Sequence, residues 1–205
     1  MNITYLGHAC FRVESDGYAI ILDPYTDVPG YPLLTASANA VLCSHEHFDH
    51  NARHVVPVPL IERPSPFTVE TLDTFHDECG GSKRGNNTVH ILRAEEMTVV
   101  HLGDLGHLLS EEQAAVLRNC DVLMIPVGGT YTVTGAEAAQ IIEQLQPRLV
   151  IPMHYRCGQY GFDVLDTAEP FLTSLPNWPV HQLTGCALEV NGDTPEGIVL
   201  PQFAF

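Results

Sequence analysis

His45-Glu46-His47-Phe48-Asp49-His50 places four metal-ligand side chains within six consecutive residues, directly behind the apolar run Ala40-Val41-Leu42-Cys43 and Ser44. That run reads as a buried strand, and strand ends are where a rigid scaffold presents functional loops. In an extended segment His45 and His47 project to the same side and can grip one cation. Asp49 and His50 fall where the chain is expected to bend toward a helix, so their side chains can face a second cation close to the first. With 11 histidines and as many aspartates in 205 residues, chance produces H-x-H-x-D-H on the order of twice per thousand such chains. A surface histidine cluster, the bland alternative, leaves the strand feeding the motif unexplained.

A tetrahedral metal site needs more than two protein ligands, so further His or Asp residues are expected later, each in a loop after a strand. Three fit. His76 follows the strand-like Phe67 to Leu72. Asp104 sits in His101-Leu102-Gly103-Asp104-Leu105-Gly106, after Val99-Val100 and between glycines that allow close backbone approach. His154 sits in Ile151-Pro152-Met153-His154-Tyr155, after Leu149-Val150. Asp23 ends the apolar run Ala19 to Leu22 and reads either as an acceptor that fixes the tautomer of a ligand histidine or as an ordinary aspartate before proline. His8, after a glycine, is a candidate proton donor or substrate contact, or a structural histidine.

The 205 residues, 45% hydrophobic, suffice for one well-buried domain over 1–205. No span approaches the ~20 apolar residues of a membrane helix, and Met1-Asn2-Ile3-Thr4-Tyr5 lacks the basic flank of a signal peptide. A soluble cytoplasmic protein with no membrane partner is therefore expected. Six cysteines without a C-x-x-C pair fit neither a disulfide framework nor a zinc finger, and read as buried, reduced thiols. Nine basic against 25 acidic residues give a net charge of −16, which repels phosphate backbones, so nucleic acid is not an expected partner.

Strands are expected at Ile3 to Leu6, Phe11 to Glu14 and Ala19 to Leu22, separated in the last case by Ser15-Asp16-Gly17. Prolines 57, 59, 64 and 66 break the next stretch, and Val89 to Leu92 with Met97 to His101 look like a hairpin. Ser110-Glu111-Glu112-Gln113 and Thr134-Gly135-Ala136-Glu137 read as capping boxes opening helices at about 111 to 119 and 135 to 145. These lead into strands at Asp121 to Ile125 and Leu149 to Ile151. A third helix is expected from Asp163 to Ser174, with closing strands near His181 to Leu183 and Ala187 to Val190. The apolar tail Ile198 to Phe205 reads as a contact surface or, more simply, as a terminal strand packing on its own domain. Hairpins early and β-α-β order later give an α/β protein with helices on the outer faces of its sheets.

Taken together, these motifs resemble the metallo-β-lactamase-fold hydrolases from residue 5 to about residue 156. The resemblance implies an αββα sandwich of two mixed sheets with helices outside. It implies that His45, His47 and His76 bind one divalent metal, that Asp49, His50 and His154 bind the other, and that Asp104 bridges them. Tyr5-Leu6-Gly7-His8, Gly103-Asp104-Leu105-Gly106, Ile125-Pro126-Val127-Gly128-Gly129 and Pro152-Met153-His154-Tyr155 are most similar to a small branch with sugar-phosphate lactonase-like and phospholipase-D-like members. Only 25 residues separate His50 from His76, so the insertions of the RNA-processing and thioesterase branches are missing. His47 stands where the oxygen-reducing diiron branch typically has a carboxylate, which implies hydrolysis over redox chemistry.

Two cations ~3.5–4 Å apart can share a water and lower its pKa toward neutrality. The expected activity is thus attack by a metal-bridging hydroxide on a small ester, lactone or phosphoester, and the resemblance implies that Asp49 orients that hydroxide as well as ligating. Zinc is the first expectation for the metal, and manganese and iron accept the same ligands. Lys83 and Arg84, the only adjacent basic pair, are candidates to clamp an anionic substrate, joined by Arg156, or else form a solvated turn. Tyr131 is a candidate donor to a developing oxyanion, or packing. Two other readings stay open: a metal-binding scaffold without turnover, and a nucleic-acid phosphodiesterase, which the charge disfavours. The sequence leaves the oligomeric state open.

Overall fold

Alternating apolar residues in the first third of the chain build the expected meander. In a computed structural model, which describes residues 1–60 and 63–202, β1 (Asn2–Gly7), β2 (Cys10–Ser15) and β3 (Tyr18–Leu22) pair antiparallel in sequence. Asp16 and Gly17, both at positive φ (46° and 67°), make the tight turn between the last two. β4 (Ala40–Leu42) joins β3 in parallel, and β11 (Ala187–Glu189) returns from the far end of the chain to pair with β1, giving the order β11-β1-β2-β3-β4.

The second sheet has seven strands among the described residues. β5 (Thr68–Phe75), β6 (Asn86–Ala94) and β7 (Met97–His101) form an antiparallel ribbon. β8 (Val122–Pro126), β9 (Leu149–Met153), β12 (Gly197–Leu200) and β10 (Val180–Gln182) continue from β7 in parallel. The order is β10-β12-β9-β8-β7-β6-β5. Among the described residues, the helices α1 (Glu111–Leu117), α2 (Gly135–Leu145) and α3 (Glu169–Ser174) serve this sheet. Both predicted capping boxes form: Ser110 with Gln113, and Thr134 with Glu137.

Side-chain alternation assigns the layers. Phe11, Val13, Ile20 and Leu22 of the first sheet meet Val122, Met124, Leu149 and Ile151 of the second in the core between the sheets. Leu123, Ile125 and Val150 point the other way and pack under Leu117, Ile141, Ile142, Leu145 and Phe171 of the helices. β8 and β9 are thus buried on both faces, which explains their unbroken apolar runs. Cys10, Ala19 and Ile21 face outward from the first sheet and are covered by Tyr25, Val28, Ala38 and Val56. That cover is chain from the segments after β3 and after His50, with a single 3₁₀ turn at Arg53–Val55, where the sequence led one to expect a helix. Prolines and glycines in this region leave loop as the available cover.

Other boundaries also differ. The third helix begins at Glu169, six residues after the expected start, because Asp163 to Thr167 turns back to hydrogen-bond the loops beside it. β5 extends to Phe75, directly before His76, and β6 begins at Asn86, three residues ahead of the expected Val89. The closing tail forms its strand at Gly197–Leu200 between β9 and β10; its last three residues, 203–205, lie outside the described residues. No helix among the described residues is long and apolar enough to cross a membrane.

Candidate metal centre and active-site cavity

The carboxyl ends of the strands converge on one edge of the sandwich. His8 follows β1, Asp23 follows β3, His76 follows β5, and His154 follows β9, while His45 and Asp104 stand three residues beyond β4 and β7. His8, Asp23 and His154 all take positive φ (54°, 44° and 53°). Non-glycine residues in this region are uncommon, and they cluster where surrounding structure holds a site in place. The two turns are tied together, since the His154 N–H donates to the His8 carbonyl at 3.0 Å.

Asp104 is the hub. Its Oδ2 lies 3.2 Å from Nε2 of His76, 3.2 Å from Nε2 of His154, 3.3 Å from Nε2 of His50 and 3.9 Å from Nε2 of His45. Gly103 makes this approach feasible, because a Cβ there would fall 2.4 Å from both the Ser44 Cβ and the Asn87 Oδ1. Asn87 sets the height of the loop: its Oδ1 accepts from the Asp104 N–H (2.9 Å), and its Nδ2 donates to the Leu102 carbonyl (2.9 Å) and Thr74 Oγ1 (2.8 Å).

Around this hub the ligand atoms sort into overlapping groups, each spanning no more than 4.8 Å: His45, His47 and His76; His8, Asp49, His50 and His154; and Asp23, His45 and His50. Asp23 cannot serve the last as a ligand, because its oxygens are engaged. Oδ1 accepts from the Ser44 N–H (2.7 Å), and Oδ2 accepts from the Ser44 hydroxyl (2.6 Å) and from Nδ1 of His50 (2.8 Å). Having given its proton to Asp23, the Ser44 hydroxyl accepts from Nδ1 of His45 at 2.9 Å. Both histidines have Nδ1 committed in this way, so it is their Nε2 atoms that face the hub.

His45 Nε2, His50 Nε2 and Asp104 Oδ1 are buried there with no hydrogen-bond partner among the described residues. An unsatisfied buried polar group costs about 1–3 kcal/mol, and divalent cations held beside Asp104 would satisfy these atoms. Histidine and carboxylate donors suit zinc, manganese and iron. The electrostatics agree. Burial, reinforced by His50, pushes the His45 imidazole down to about 3, and burial likewise lowers His76, leaving both in the neutral ligating form. Burial also lowers His50, but Asp104 and Asp23 outweigh it and push that imidazole well above its ordinary value. Burial disfavours the Asp104 carboxylate, yet His154 and His50 draw its pKa well below the usual range. The same field that stabilises a proton on His50 stabilises a metal cation.

A cavity of about 580 Å³ opens over this cluster, lined by His47, Asp49, His76, Asp104 and His154 below and by Phe48, Phe162, Arg84 and Tyr131 at the sides, with Glu46 at the rim. Of the four residues expected to contact substrate, Arg84 and Tyr131 lie on its wall. Lys83 is exposed and ion-paired with Glu78, and Arg156 lines a different cavity with Nε directed to the Leu165 carbonyl. Neither lines the metal cavity, Lys83 because it turns to Glu78 and Arg156 because it turns to the Leu165 carbonyl. His107, a nearby histidine in sequence, instead accepts from the Phe75 N–H at the end of β5 (3.2 Å).

The fold and this cluster define the class. The Beta-lactamase superfamily domain matches residues 2–154. A UPF0173 protein of Pyrococcus furiosus is 32% identical over 189 residues, covering 78% of this chain and 85% of that one. A UPF0173 metal-dependent hydrolase of Pyrobaculum arsenaticum is 28% identical, covering 76% and 84%. Among solved structures, a chain from Thermotoga maritima described as a Zn-dependent hydrolase of the metallo-beta-lactamase superfamily superposes with a TM-score of 0.78 at 33% identity, covering 99% of both chains. The chain belongs to the beta-lactamase superfamily. Within it, the chain is a member of the UPF0173 family of metal-dependent hydrolases.

Sequence reasoning missed several residues that shape this site. Ser44 was legible only as the end of a strand. Phe162 was hidden beside a helix expected to begin one residue later. Asp77 was overlooked beside His76, although an aspartate before a Gly-Gly turn is a recognisable cap for backbone N–H groups.

Proposed function

We propose that the chain is a dinuclear hydrolase of a small ester, lactone or phosphoester, formed as one domain over 1–205, with His45, His47 and His76 holding one divalent cation and Asp49, His50 and His154 the other. Asp104 sits between them. Zinc is the favoured ion, with manganese and iron as alternatives. When bound, such a pair supplies a water acidic enough to react at neutral pH and polarises the substrate oxygen under attack.

The chain's own residues do the rest. Asp23, directly and through Ser44, holds two histidines with their Nε2 atoms aimed at the hub. Asp49 faces the cavity and orients the attacking water. His8 Nε2 lies 3.3 Å from Asp49 Oδ2; because an ionised carboxylate only accepts, His8 is the donor and acts by holding Asp49. Burial, with His154 beside it, pushes the His8 imidazole down to about 4, which favours this bracing role over proton donation. Phe48 and Phe162 shield one side of the cavity from water.

The observation that carries this reading is the set of buried, unpartnered atoms His45 Nε2, His50 Nε2 and Asp104 Oδ1 around one carboxylate hub. It favours an enzyme over a scaffold, which has no use for a cavity over the cluster. The net charge of −16 supports a small substrate over nucleic acid. The test is elemental analysis together with a hydrolysis screen across lactones, phosphodiesters, phosphomonoesters and thioesters, before and after chelation. About two metals per chain and chelator-sensitive turnover are expected. Turnover that survives complete metal removal overturns the proposal.

A further inference from the structure

The cavity is chemically two-ended, and the two ends lie over different metal-ligand groups. Arg84 stands at one end. Its guanidinium lies over the Tyr131 ring, 5.7 Å from the centroid, and Nη2 donates to the Thr130 carbonyl at 3.1 Å. Those contacts fix its plane while leaving its other N–H donors uncommitted. No carboxylate pairs with it among the described residues, whereas Arg12, Lys83, Arg93, Arg118 and Arg148 each have one. Glu46, which shares the lining of the cavity with Arg84, is engaged by the Asn51 side chain. Arg53, Arg63 and Arg156 also lack a carboxylate partner among the described residues, but their donors go to backbone carbonyls or to Asn51 away from this cavity, so Arg84 is the arginine on the cavity wall with donors to spare. Arg84 also lines a second, adjoining cavity with His45 and His47, which locates it on the His45–His47–His76 side.

Phe162 stands at the other end. Its ring centroid lies 5.7 Å from that of His8 and 6.4 Å from that of Phe48, edge-on in both cases. His8 packs in turn against His154 at 4.2 Å, so this end lies over the His8–Asp49–His50–His154 group. Phe48 is 55% exposed. A phenylalanine so exposed at the mouth of a cavity, with a second ring beside it, is unspent apolar surface.

Both ends belong to one rigid rim. The Thr130 hydroxyl donates to the Val164 carbonyl at 2.7 Å, and the Asp166 N–H donates to the Gly128 carbonyl at 2.9 Å. The loop that carries Phe162 is therefore tied to the loop that Arg84 grips, and the spacing between the two ends is built into the fold.

We infer that the substrate carries an anionic group at one end, held by Arg84, and a flat apolar group at the other, packed against Phe48 and Phe162, with the scissile bond between them over the metal ligands. This rests on the hydrolase reading of the site and adds a substrate class to it: small esters or lactones that bear an aromatic or similarly flat apolar group together with a carboxylate, sulfonate or phosphate. Arg84 and Phe162 are specificity residues in this scheme, because they contact substrate away from the reacting atoms.

The test is equilibrium binding to the metal-loaded full chain by calorimetry, with benzenesulfonate as the two-ended probe. Methanesulfonate supplies the anion alone and benzyl alcohol the ring alone. Sulfonates ligate metals weakly, so the probe reports on the walls. Benzenesulfonate is expected to bind at least about tenfold more tightly than either fragment, a difference of about 1.4 kcal/mol. Arg84→Gln should reduce it to the level of benzyl alcohol, Arg84→Lys should fall between, and Phe162→Ala should reduce it to the level of methanesulfonate. Metal content equal to wild type shows that each variant is folded. Equal affinity for all three probes, or an Arg84→Gln variant that binds benzenesulfonate as wild type does, overturns the inference. Selective binding without turnover of any ester carrying both ends leaves the two-ended pocket standing and counts against the hydrolase reading alone.

Discussion

Ser44 contacts Asp23 twice, with its N–H on Oδ1 at 2.7 Å and its hydroxyl on Oδ2 at 2.6 Å. The same Oδ2 accepts from Nδ1 of His50, and the same hydroxyl accepts from Nδ1 of His45. One buried carboxylate therefore orients a histidine of each proposed metal group, directly in one case and through a serine in the other.

Removing the relay should divide the two groups. Ser44→Ala frees the His45 ring and is expected to weaken binding of one metal by about 10–100-fold, the usual cost of losing a group that orients a ligand histidine. Asp23→Ala should weaken both. Titration against a competing chelator resolves the two steps. Identical effects of both substitutions on both steps would show that Ser44 carries no separate role.

Asp104→Ala removes the carboxylate that four Nε2 atoms surround within 3.9 Å. The variant is expected to retain at most one metal and to lose nearly all hydrolysis of any substrate the wild type accepts. Full metal content with undiminished turnover would refute the proposed mechanism.

The motif residues were legible in the sequence because a fixed spacing after an apolar strand constrains direction: His45, Asp104 and His154 all stand where a strand releases the chain. The parallel strands β8 and β9 were legible for a similar reason, since burial on both faces writes an unbroken apolar run. Three things were not. The short β11 pairs with β1 across most of the chain, and no local pattern announces such a partner. Helical propensity after Asp163 was overridden by hydrogen bonds from its loop to Gly128 and Arg156. Lys83 and Arg84 look equivalent as neighbours, yet successive side chains leave opposite sides of the loop, so Arg84 reaches the cavity and Lys83 meets Glu78.

Asp77 decides that difference. Its Oδ1 accepts from the N–H groups of Cys79 and Gly81, and its Oδ2 from those of Lys83 and Arg84, at 2.8 to 2.9 Å. Asp77→Ala should release this loop, and Asp77→Asn should do nearly as much, because an amide turns a donor toward two of the four N–H groups. Hydrogen exchange is expected to accelerate at residues 79, 81, 83 and 84 in both variants, with weaker benzenesulfonate binding. Unchanged exchange at those four amides would show that the loop is held by other contacts.

The cysteines give a prediction in which pH has a definite sign. All six are free, but Cys10 and Cys120 alone are buried, whereas Cys79 and Cys157 are exposed, so the sequence expectation of buried thiols holds for a minority. Burial pushes the Cys120 thiol from 9.0 up to about 12 and raises Cys10 well above its ordinary value, with Asp23 adding to the effect. The thiolate is the reactive form, so iodoacetamide at pH 8.5 is expected to label Cys79 and Cys157 rapidly and to leave Cys10 and Cys120 unlabelled until the chain unfolds. Because the folded Cys120 holds its proton more tightly than the unfolded one, its contribution to stability is complete below about pH 9 and is lost as pH rises toward 12. Labelling of Cys120 should consequently rise above pH 9 through opening of the fold, in step with loss of the near-ultraviolet circular dichroism signal. Labelling of Cys120 at pH 8.5, at the rate of Cys157 and with that signal intact, would show that the helical face of the second sheet is open to reagent.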